Sequence, residues 1–329
     1  IGVRLVGSEM CIRDRAQPDP NLIADIWPPT ADDNCVIFMD QPADMLPGPH
    51  CVWGDPEAET TVVLFGGSHS EPWLIPLDQL GKEHGFKVMP MVRQSCPLIL
   101  DDLDTVSPEC AEWSRLAFDR IIEMNPDLTI STATRPEGRA GEGSPGPDMV
   151  PSSYATVWEE LQANDIPFLG LRDNPWVFSR EGQHMDPNEC LIAGNDFEAC
   201  STLRDTVYGD VDPSVEYLFP ENKQWGLDTA DWYCDDEFCP PIIGNVYVYR
   251  DQNHVSNAYA ATTAPLLWAK LQEVFTALGT QVDGLEDGPA LDPEQGVPPG
   301  KQENGVDAGD VGKPSVEANP DLLPELGDQ

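Results

Sequence analysis

The sequence has few basic residues and no long hydrophobic run. Lys and Arg together number 18 against 58 Asp and Glu, and the formal net charge is −40 at pH 7. A surface this acidic repels nucleic-acid phosphates and anionic lipid headgroups, so we expect neither as a partner. An apolar run of about 18 residues, the signal of a membrane-spanning helix, is missing, and no signal peptide is recognisable. Neutral sugars and small acyl donors are compatible with this charge.

Motifs for nucleotide and zinc binding are also missing. The glycine-rich turn at Gly66-Gly67-Ser68 fits neither the dinucleotide-binding pattern nor the P-loop pattern. No C-x-x-C pair occurs, and the closest cysteines, Cys234 and Cys239, lack a second close pair or a nearby histidine. We therefore predict no metal site and no cofactor.

The two ends differ in composition from the rest. Residues 1–15 are basic and lack an initiator Met, and they resemble a translated sequencing-adapter scar; a real but disordered N-terminus is the alternative. We exclude them from the fold and expect that the true N-terminal portion is missing. Residues 16–60, rich in Pro and Asp, are predicted as a linker that leads into a disulfide-closed loop. Residues 280–329 contain no aromatic residue and 12 acids against 2 lysines, which predicts a disordered tail.

The nine cysteines become eight when Cys11 of the excluded segment is set aside. These fall into close pairs: Cys35/Cys51, Cys96/Cys110, Cys190/Cys200 and Cys234/Cys239. Spacing alone leaves many other pairings open, but local pairing is the simplest because each bond would close a short loop. Disulfides predict an oxidising compartment outside the cytoplasm.

Strand-like and helix-like segments alternate between residues 61 and 279. The continuous β-branched and apolar run at 60–67 predicts a strand buried on both faces. Further strands are predicted at 86–89, 127–132 and 166–170, and 242–249 is predicted as extended. Predicted helices occupy 72–84, 111–124, 154–163, 188–208 and 257–278, the last kinked or split at Pro265. This alternation predicts an α/β domain whose parallel sheet carries helices on both faces and a site at the carboxyl ends of its strands.

A serine directly follows the first predicted strand. Ser68 comes after two glycines in a tight turn that opens a helix, so we expect its hydroxyl at the edge of the sheet. The N-terminus of that helix can supply amide donors for an oxyanion. The alternative is a purely structural turn.

An aspartate and a histidine lie three residues apart in a loop near the far end of the predicted domain. The carboxylate of Asp251 can hold the tautomer of His254 while the other ring nitrogen faces a serine. A helix N-cap aspartate beside a surface histidine is the alternative. The other histidines are weaker candidates for the base. His50 and His184 lie in loops and His84 lies near a helix end. His69 directly follows Ser68, where we expect it to form part of the pocket wall.

Longer stretches around these residues resemble a known family. CVWGDPEAETTVVLFGGSHSEPW, VRQSCP, NPDLTIS and DWYCDDEFCPPIIGNVYVYRDQNHVS are similar to the SGNH hydrolase-like domain fused to the C-terminus of acyltransferase-3 membrane proteins, which modify cell-surface polysaccharides. The resemblance covers about residues 35–278. It implies a three-layer, flavodoxin-like fold with Ser68 as nucleophile and Asp251 and His254 as its partners. It also implies a membrane acyltransferase domain before residue 16 that tethers the chain outside the cytoplasm and delivers the acyl donor, with a glycan as acceptor.

The chain departs from the family pattern at the nucleophile and at the oxyanion hole. Gly67 stands where the family usually has the Asp that fixes the turn by hydrogen bonds. The usual glycine and asparagine blocks are not recognisable, and by position Ser95 and Thr132 fall where they would lie; an ordinary strand-end polar residue is the alternative for each. Arg135 is either a substrate contact or an exposed loop charge.

Three functions are compatible with this pattern. The first is serine-dependent O-acyl transfer, expected to be O-acetyl transfer, to a cell-surface or cell-wall polysaccharide through an acyl-serine. The second is a carbohydrate acetyl esterase, which uses the same residues with water as acceptor. The third is a non-catalytic glycan-binding domain, for which Gly67 is the main argument.

Overall fold

The computed structural model describes residues 16–31, 33–137 and 143–285. Residues 1–15, interpreted above as an adapter scar, and residues 286–329, most of the predicted tail, lie outside the described residues. Within the described ranges, none of the helices has the length and apolarity needed to cross a membrane.

A six-stranded sheet lies at the centre of the domain. The strands along the chain are β1 Trp53–Gly54, β2 Thr61–Gly66, β3 Lys87–Val92, β4 Leu128–Thr132, β5 Phe168–Leu171, β6 Thr202–Leu203, β7 Gln224–Leu227, β8 Phe238–Cys239, β9 Ile242–Ile243 and β10 Val246–Tyr247. The sheet order is β1-β3-β2-β4-β5-β7, and all neighbours pair in parallel except the edge strand β1. The parallel strands therefore follow the flavodoxin-like order, in which the first strand lies between the second and the third. This confirms the predicted fold class.

Helices cover both faces of the sheet. They are α1 Leu74–His84, α2 Pro108–Met124, α3 Ser152–Ala163, α4 Pro187–Ile192, α5 Ala230–Tyr233, α6 Asn257–Thr262 and α7 Ala264–Leu278. The side chains of β2 alternate between the two faces. Val62 and Leu64 pack with α1 and α7, whereas Val63 and Phe65 pack with α2 and α3. Burial on both sides explains the uninterrupted apolar run, since each such side chain stabilises the fold by about 1.5–3 kcal/mol.

Two predicted elements differ from the structure. The helix predicted at 188–208 is wrong beyond Ile192, because the backbone turns at Gly194 with a φ of +89°. The segment predicted as extended at 242–249 is a tight hairpin of β9 and β10, whose turn residues Gly244 and Asn245 have φ of +57° and +65°. The last predicted helix is split at Thr263, with Pro265 in the first turn of α7, as the sequence indicated.

In the part of the chain that the structure describes, four disulfides close short loops around the sheet. Their Cα–Cα distances run from 4.0 to 5.6 Å. The bonded pairs are those expected from local spacing: Cys35–Cys51, Cys96–Cys110, Cys190–Cys200 and Cys234–Cys239.

Residues 16–60, predicted as a linker and a disulfide-closed loop, pack against the domain where they are described. Ile23 is 1% exposed and Ile37 is fully buried. The backbone N–H of Ile37 donates to the carbonyl of Val92 over 3.0 Å, and the Thr30 hydroxyl donates to the buried carboxylate of Glu71. This segment therefore contributes to the core and to the edge of the sheet.

Candidate active site

The turn after β2 positions Ser68 at the carboxyl end of the sheet. Gly66 has a φ of +125°, and a Cβ there would lie 2.5 Å from the Ser70 Oγ, so only glycine fits. Ser70 is fully buried; its Oγ lies 3.4 Å from the Ser131 Oγ and accepts the backbone N–H of Thr132 over 3.3 Å. Ser70 thus ties the nucleophile turn to the end of β4, the neighbouring strand at the switch point of the sheet.

Gly67, where the family usually has Asp, is not required by space. A Cβ at this position would contact the carbonyl carbon of Cys96 and the nitrogen of Pro97 at 3.5 Å, an ordinary contact. The turn is closed instead by the backbone N–H of Ser70, which donates to the Gly67 carbonyl over 3.0 Å. Hydrogen bonds of Ser70 therefore hold the turn in the absence of an Asp side chain at position 67.

The loop that carries His254 is held on both sides. The backbone N–H of Arg250 donates to the His254 carbonyl over 2.8 Å, which closes the loop on itself. From the segment after β5, the Asn174 side chain donates to the Asn253 carbonyl and the Val177 N–H donates to the Gln252 carbonyl, both over 2.8 Å. The position of the imidazole is thus fixed by the body of the domain.

Ser68, His254 and Asp251 form a continuous hydrogen-bonded relay. The His254 Nε2 lies 2.9 Å from the Ser68 Oγ, and its Nδ1 lies 2.9 Å from the Asp251 Oδ2. The Asp251 Oδ1 also accepts the backbone N–H groups of Asn253 and His254 at 3.0 and 2.9 Å. An ionised carboxylate can only accept, so Nδ1 carries the ring proton and Nε2 is left as an acceptor for the Ser68 hydroxyl proton.

The electrostatics of the pair favour a neutral imidazole beside an ionised carboxylate. Burial lowers the pKa of His254, and this outweighs the hydrogen bond to Asp251, which acts to raise the pKa. Burial alone would raise the pKa of Asp251, but the His254 side chain and two backbone N–H groups hold the pKa of that carboxyl well below its usual range. At neutral pH the site therefore has a proton acceptor and a charge that stabilises the protonated imidazole.

A pocket of about 110 Å³ opens beside the Ser68 hydroxyl. Ser95 lies on its wall with a φ of +54°, a left-handed conformation that favours glycine. Within the described part of the chain, the backbone N–H groups of Ser68 and Ser95 donate to no protein acceptor. Amides without a protein acceptor at a pocket wall are the kind of donor that a negatively charged oxygen requires.

Thr132, the other position considered for the oxyanion hole, also lines the pocket, but its polar groups are engaged. Its N–H donates to the Ser70 Oγ, and its Oγ1 lies 3.3 Å from the same atom. Thr134, two residues further on, lines the pocket as well, and its Oγ1 accepts the backbone N–H of Asp173 over 3.0 Å.

Two pocket residues, Asp173 and Trp176, were not anticipated from the sequence, whereas His69 was expected at the pocket wall. Asp173 follows β5 and accepts a hydrogen bond from the His69 Nδ1 over 2.9 Å, and the ring of Trp176 stacks on His69. Arg135, considered above as a substrate contact or an exposed loop charge, is half-buried and lines the pocket, with its guanidinium 5.8 Å from the centroid of the Trp176 ring. The available signal for Asp173 was position, because it follows the buried strand β5 by two residues, much as Arg135 follows β4 by three.

A group of possible metal ligands lies away from this pocket. Cys35, His50 and Cys51 have ligand atoms within 4.8 Å of one another. The two cysteines are joined by a disulfide, so neither offers a thiolate to a metal. The group does not form a metal centre in this oxidised chain.

A flavodoxin-like sheet with a strand-end serine hydrogen-bonded to an Asp–His pair defines the SGNH class of acyl-transfer and esterase domains. Residues 34–269 match the family described as SGNH domain (fused to AT3 domains), and the chain belongs to this family. This confirms the resemblance noted above and supports a role in acyl transfer or ester hydrolysis. The match begins within the segment predicted as a linker, in agreement with its packing against the sheet.

Comparisons with solved structures and with curated proteins give less information about this chain than the family match. The periplasmic domain of the lipopolysaccharide acetyltransferase of Salmonella ser. Paratyphi A is similar in structure, with a TM-score of 0.47 and 10% identity over 66% of this chain and 85% of that one. None of the curated proteins matches the chain.

Proposed function

We propose that this domain transfers an acyl group, expected to be acetyl, to a hydroxyl of a cell-surface or cell-wall polysaccharide through an acyl-Ser68 intermediate. The observation that supports this most directly is the relay of Ser68, His254 and Asp251, with both imidazole nitrogens hydrogen-bonded at 2.9 Å. A solvated surface histidine forms its hydrogen bonds with water. His254 instead forms one with a carboxylate and one with a strand-end hydroxyl.

In the first half-reaction Ser68 is acylated. The Ser68 Oγ attacks the carbonyl carbon of the donor as its proton passes to the Nε2 of His254, and Asp251 stabilises the imidazolium. The negative charge on the carbonyl oxygen is bound by the amides of Ser68 and Ser95, each of which contributes about 3–4 kcal/mol by the magnitude known for such donors. The bond to the leaving group then breaks, and His254 returns the proton to that group.

In the second half-reaction the acyl group leaves Ser68. A hydroxyl of the acceptor attacks the acyl carbon and passes its proton to the Nε2 of His254. The bond between Ser68 Oγ and the acyl carbon breaks, and the imidazolium protonates Ser68, which restores the starting state. When water attacks in place of the sugar hydroxyl, the same steps hydrolyse the ester.

Hydrolysis is the competing function because solvent reaches the relay. The side chain of His254 is 19% exposed and that of Asp251 is 32% exposed. A carbohydrate acetyl esterase and an O-acyltransferase share the first half-reaction, so acylation of Ser68 does not distinguish them. The fate of the acyl group does: it appears on an acceptor sugar in one case and as free acetate in the other.

The proposed setting is outside the cytoplasm. Four disulfides in the described part of the chain are typical of an oxidising compartment. The family is described as fused to AT3 domains, so we propose that such a membrane domain tethers residues 61–279, together with the packed segment before them, and supplies the acyl donor.

Turnover of p-nitrophenyl acetate tests the proposal. Ser68→Ala and His254→Ala should each abolish it while leaving the thermal unfolding midpoint within a few degrees of the wild type. His84→Ala is a matched control, because His84 lies at the C-terminal end of α1, where its ring stacks on Trp268 and does not line the pocket of Ser68. A serine-directed phosphonate should label Ser68, which would exclude a non-catalytic glycan-binding domain. Wild-type rates in both variants would show that the relay is not catalytic.

A further inference from the structure

The pocket holds a second Asp–His pair beside the relay. The His69 Nδ1 lies 2.9 Å from the Asp173 Oδ1. The carboxylate of Asp173 is buried, with an exposed side-chain fraction of 4%, and it is fixed by further donors. Its Oδ2 accepts the indole N–H of Trp176, and its Oδ1 accepts the backbone N–H of Asn174, both over 3.0 Å.

The backbone on either side of Asp173 is also anchored. The N–H of Asp173 donates to the Thr134 Oγ1 over 3.0 Å. The preceding residue, Arg172, is fully buried and pairs with Asp148 at 2.8 Å and Asp228 at 3.1 Å. Because both the chain and the carboxylate are held, the position of the His69 ring follows from the fold and not from contact with a ligand.

This arrangement determines which nitrogen of His69 can accept a proton. The carboxylate of Asp173 only accepts hydrogen bonds, so the His69 Nδ1 carries the ring proton and the Nε2 has a free lone pair. Within the described part of the chain, no residue forms a hydrogen bond with this Nε2. The His69 side chain is 14% exposed and lines the pocket together with Ser68 and His254.

The two imidazoles are close enough to act on one molecule. The ring centroids of His69 and His254 lie 4.9 Å apart with an interplanar angle of 46°, and the His69 ring is stacked on Trp176 at 4.9 Å and 21°. Each ring has its Nδ1 held by an aspartate; the His69 Nε2 is free, and the His254 Nε2, which accepts the Ser68 hydroxyl in the resting site, becomes free once Ser68 is acylated. The pocket therefore presents two hydrogen-bond acceptors to a molecule that carries two adjacent hydroxyl donors.

We propose that His69 and Asp173 form an acceptor subsite that selects a vicinal diol, the arrangement of neighbouring hydroxyls on a sugar ring. This inference rests on the proposed function, since it concerns the second half-reaction at Ser68. The attacking hydroxyl donates to the His254 Nε2, and the adjacent hydroxyl donates to the His69 Nε2. His69 is a specificity-determining residue that contacts the substrate, and Asp173 positions it.

The subsite leaves the covalent steps of the second half-reaction unchanged. The oxygen of the attacking hydroxyl forms the new bond to the acyl carbon as the bond from Ser68 Oγ breaks, and its proton moves through His254 to Ser68. The neighbouring hydroxyl keeps its proton and donates only a hydrogen bond to His69. Water and simple alcohols lack a second hydroxyl on an adjacent carbon, so the subsite favours transfer to a sugar over hydrolysis.

Competition between two alcohols of equal ring size tests the subsite. Acetyl transfer from p-nitrophenyl acetate is measured to trans-cyclohexanediol, with hydroxyls on adjacent carbons, and to cyclohexanol, and the two acetate esters are quantified by chromatography. The wild type should favour the diol by about tenfold after correction for its two hydroxyls, the ratio that one hydrogen bond of about 1.4 kcal/mol produces. The ratio of products is insensitive to a general loss of rate.

His69→Ala and Asp173→Asn should both reduce the diol preference to near one. The Asn variant preserves the shape, but its amide can donate to the His69 Nδ1, which turns the Nε2 into a donor that no longer accepts the hydroxyl proton. His84→Ala should keep the wild-type preference, and the thermal unfolding midpoint of each variant reports whether it folds.

Other results would overturn the subsite. The subsite is refuted if the wild type forms both esters without preference for the diol. It is also refuted if the preference survives in both His69→Ala and Asp173→Asn. Ser68-dependent release of p-nitrophenolate with no ester product would overturn the subsite while leaving acylation of Ser68 intact. Release that is the same in Ser68→Ala would refute the proposed function itself.

Discussion

Replacement of Asp251 by Asn tests the electrostatic part of the relay without removing side-chain volume. The Asn carbonyl oxygen can still accept the N–H groups of Asn253 and His254, which Asp251 accepts at 3.0 and 2.9 Å, so the loop is expected to keep its shape. Its amide, however, would face the His254 Nδ1 and donate to it. The Nε2 would then carry the ring proton and could not accept the proton of Ser68.

The loss can be estimated from the distance between Asp251 and His254. The carboxylate oxygen lies 2.9 Å from the His254 Nδ1, and a charge pair at such a distance is worth about 4–6 kcal/mol with an effective dielectric constant of about 20. That energy corresponds to about a 10³- to 10⁴-fold loss of kcat/KM. Since the Asp251 side chain is 32% exposed, solvent screening places the expected loss near the lower end, about 10³-fold.

The assay is kcat/KM for p-nitrophenyl acetate at pH 8, with Asp235→Asn as the matched control. The Asp235 Oδ1 accepts the backbone N–H groups of Glu237 and Phe238 at 2.9 and 2.7 Å, the same local pattern as at Asp251 but without a histidine. The control should keep the wild-type rate. If Asp251→Asn retained more than a tenth of the activity, or if the control lost as much, the carboxylate would not act through the imidazole.

Three further predictions concern the pH dependence, the turn and the pocket wall. Because the pKa of His254 is lowered from 6.5, kcat/KM should rise tenfold per pH unit in the acid range and reach half of its maximum below about pH 6.5; a half-maximal value reached at a higher pH would contradict this. Gly66→Ala should reduce p-nitrophenyl acetate turnover at least tenfold, because its Cβ would lie 2.5 Å from the Ser70 Oγ, whereas Gly67→Ala, with contacts of 3.5 Å, should reduce it far less; equal losses would refute this account of the turn. Serine replacement of both members of Cys96–Cys110, which are 14 residues apart, should lower the free energy of unfolding by about 3 kcal/mol, as measured by urea denaturation, and an unchanged midpoint would contradict it.

The sequence predicted the elements whose signals are local. The run at 60–67 contains only β-branched, apolar and glycine residues, because β2 is buried on both faces of the sheet. The spacing of Asp251 and His254 alone brings their side chains within reach, since the carboxylate accepts backbone N–H groups two and three residues later. The break of the last helix at Pro265 also follows from local chemistry.

Features that depend on distant contacts were not predicted. The strand β7 begins with Gln224, a polar residue that is not typical of a buried strand. Its burial is compensated by a hydrogen bond from its side-chain amide to the Trp158 carbonyl over 2.7 Å. The pair of His69 and Asp173 joins residues 104 positions apart, and no spacing rule connects them. The helix predicted at 188–208 failed because a single left-handed glycine, Gly194, outweighs the helical preference of its neighbours.

Short cysteine spacing also has a consequence for how the chain matures. The bonded cysteines are separated by 16, 14, 10 and 5 residues, and in each case the partner is the nearest cysteine along the chain. The entropy lost on closing a loop grows with loop length, so these contacts form more readily than any mismatched ones. If the chain is exported, as the proposed extracytoplasmic setting requires, each cysteine meets its correct partner before more distant ones emerge. Oxidation could therefore proceed in order from the amino-terminal side, with little need for an isomerase to rearrange wrong bonds.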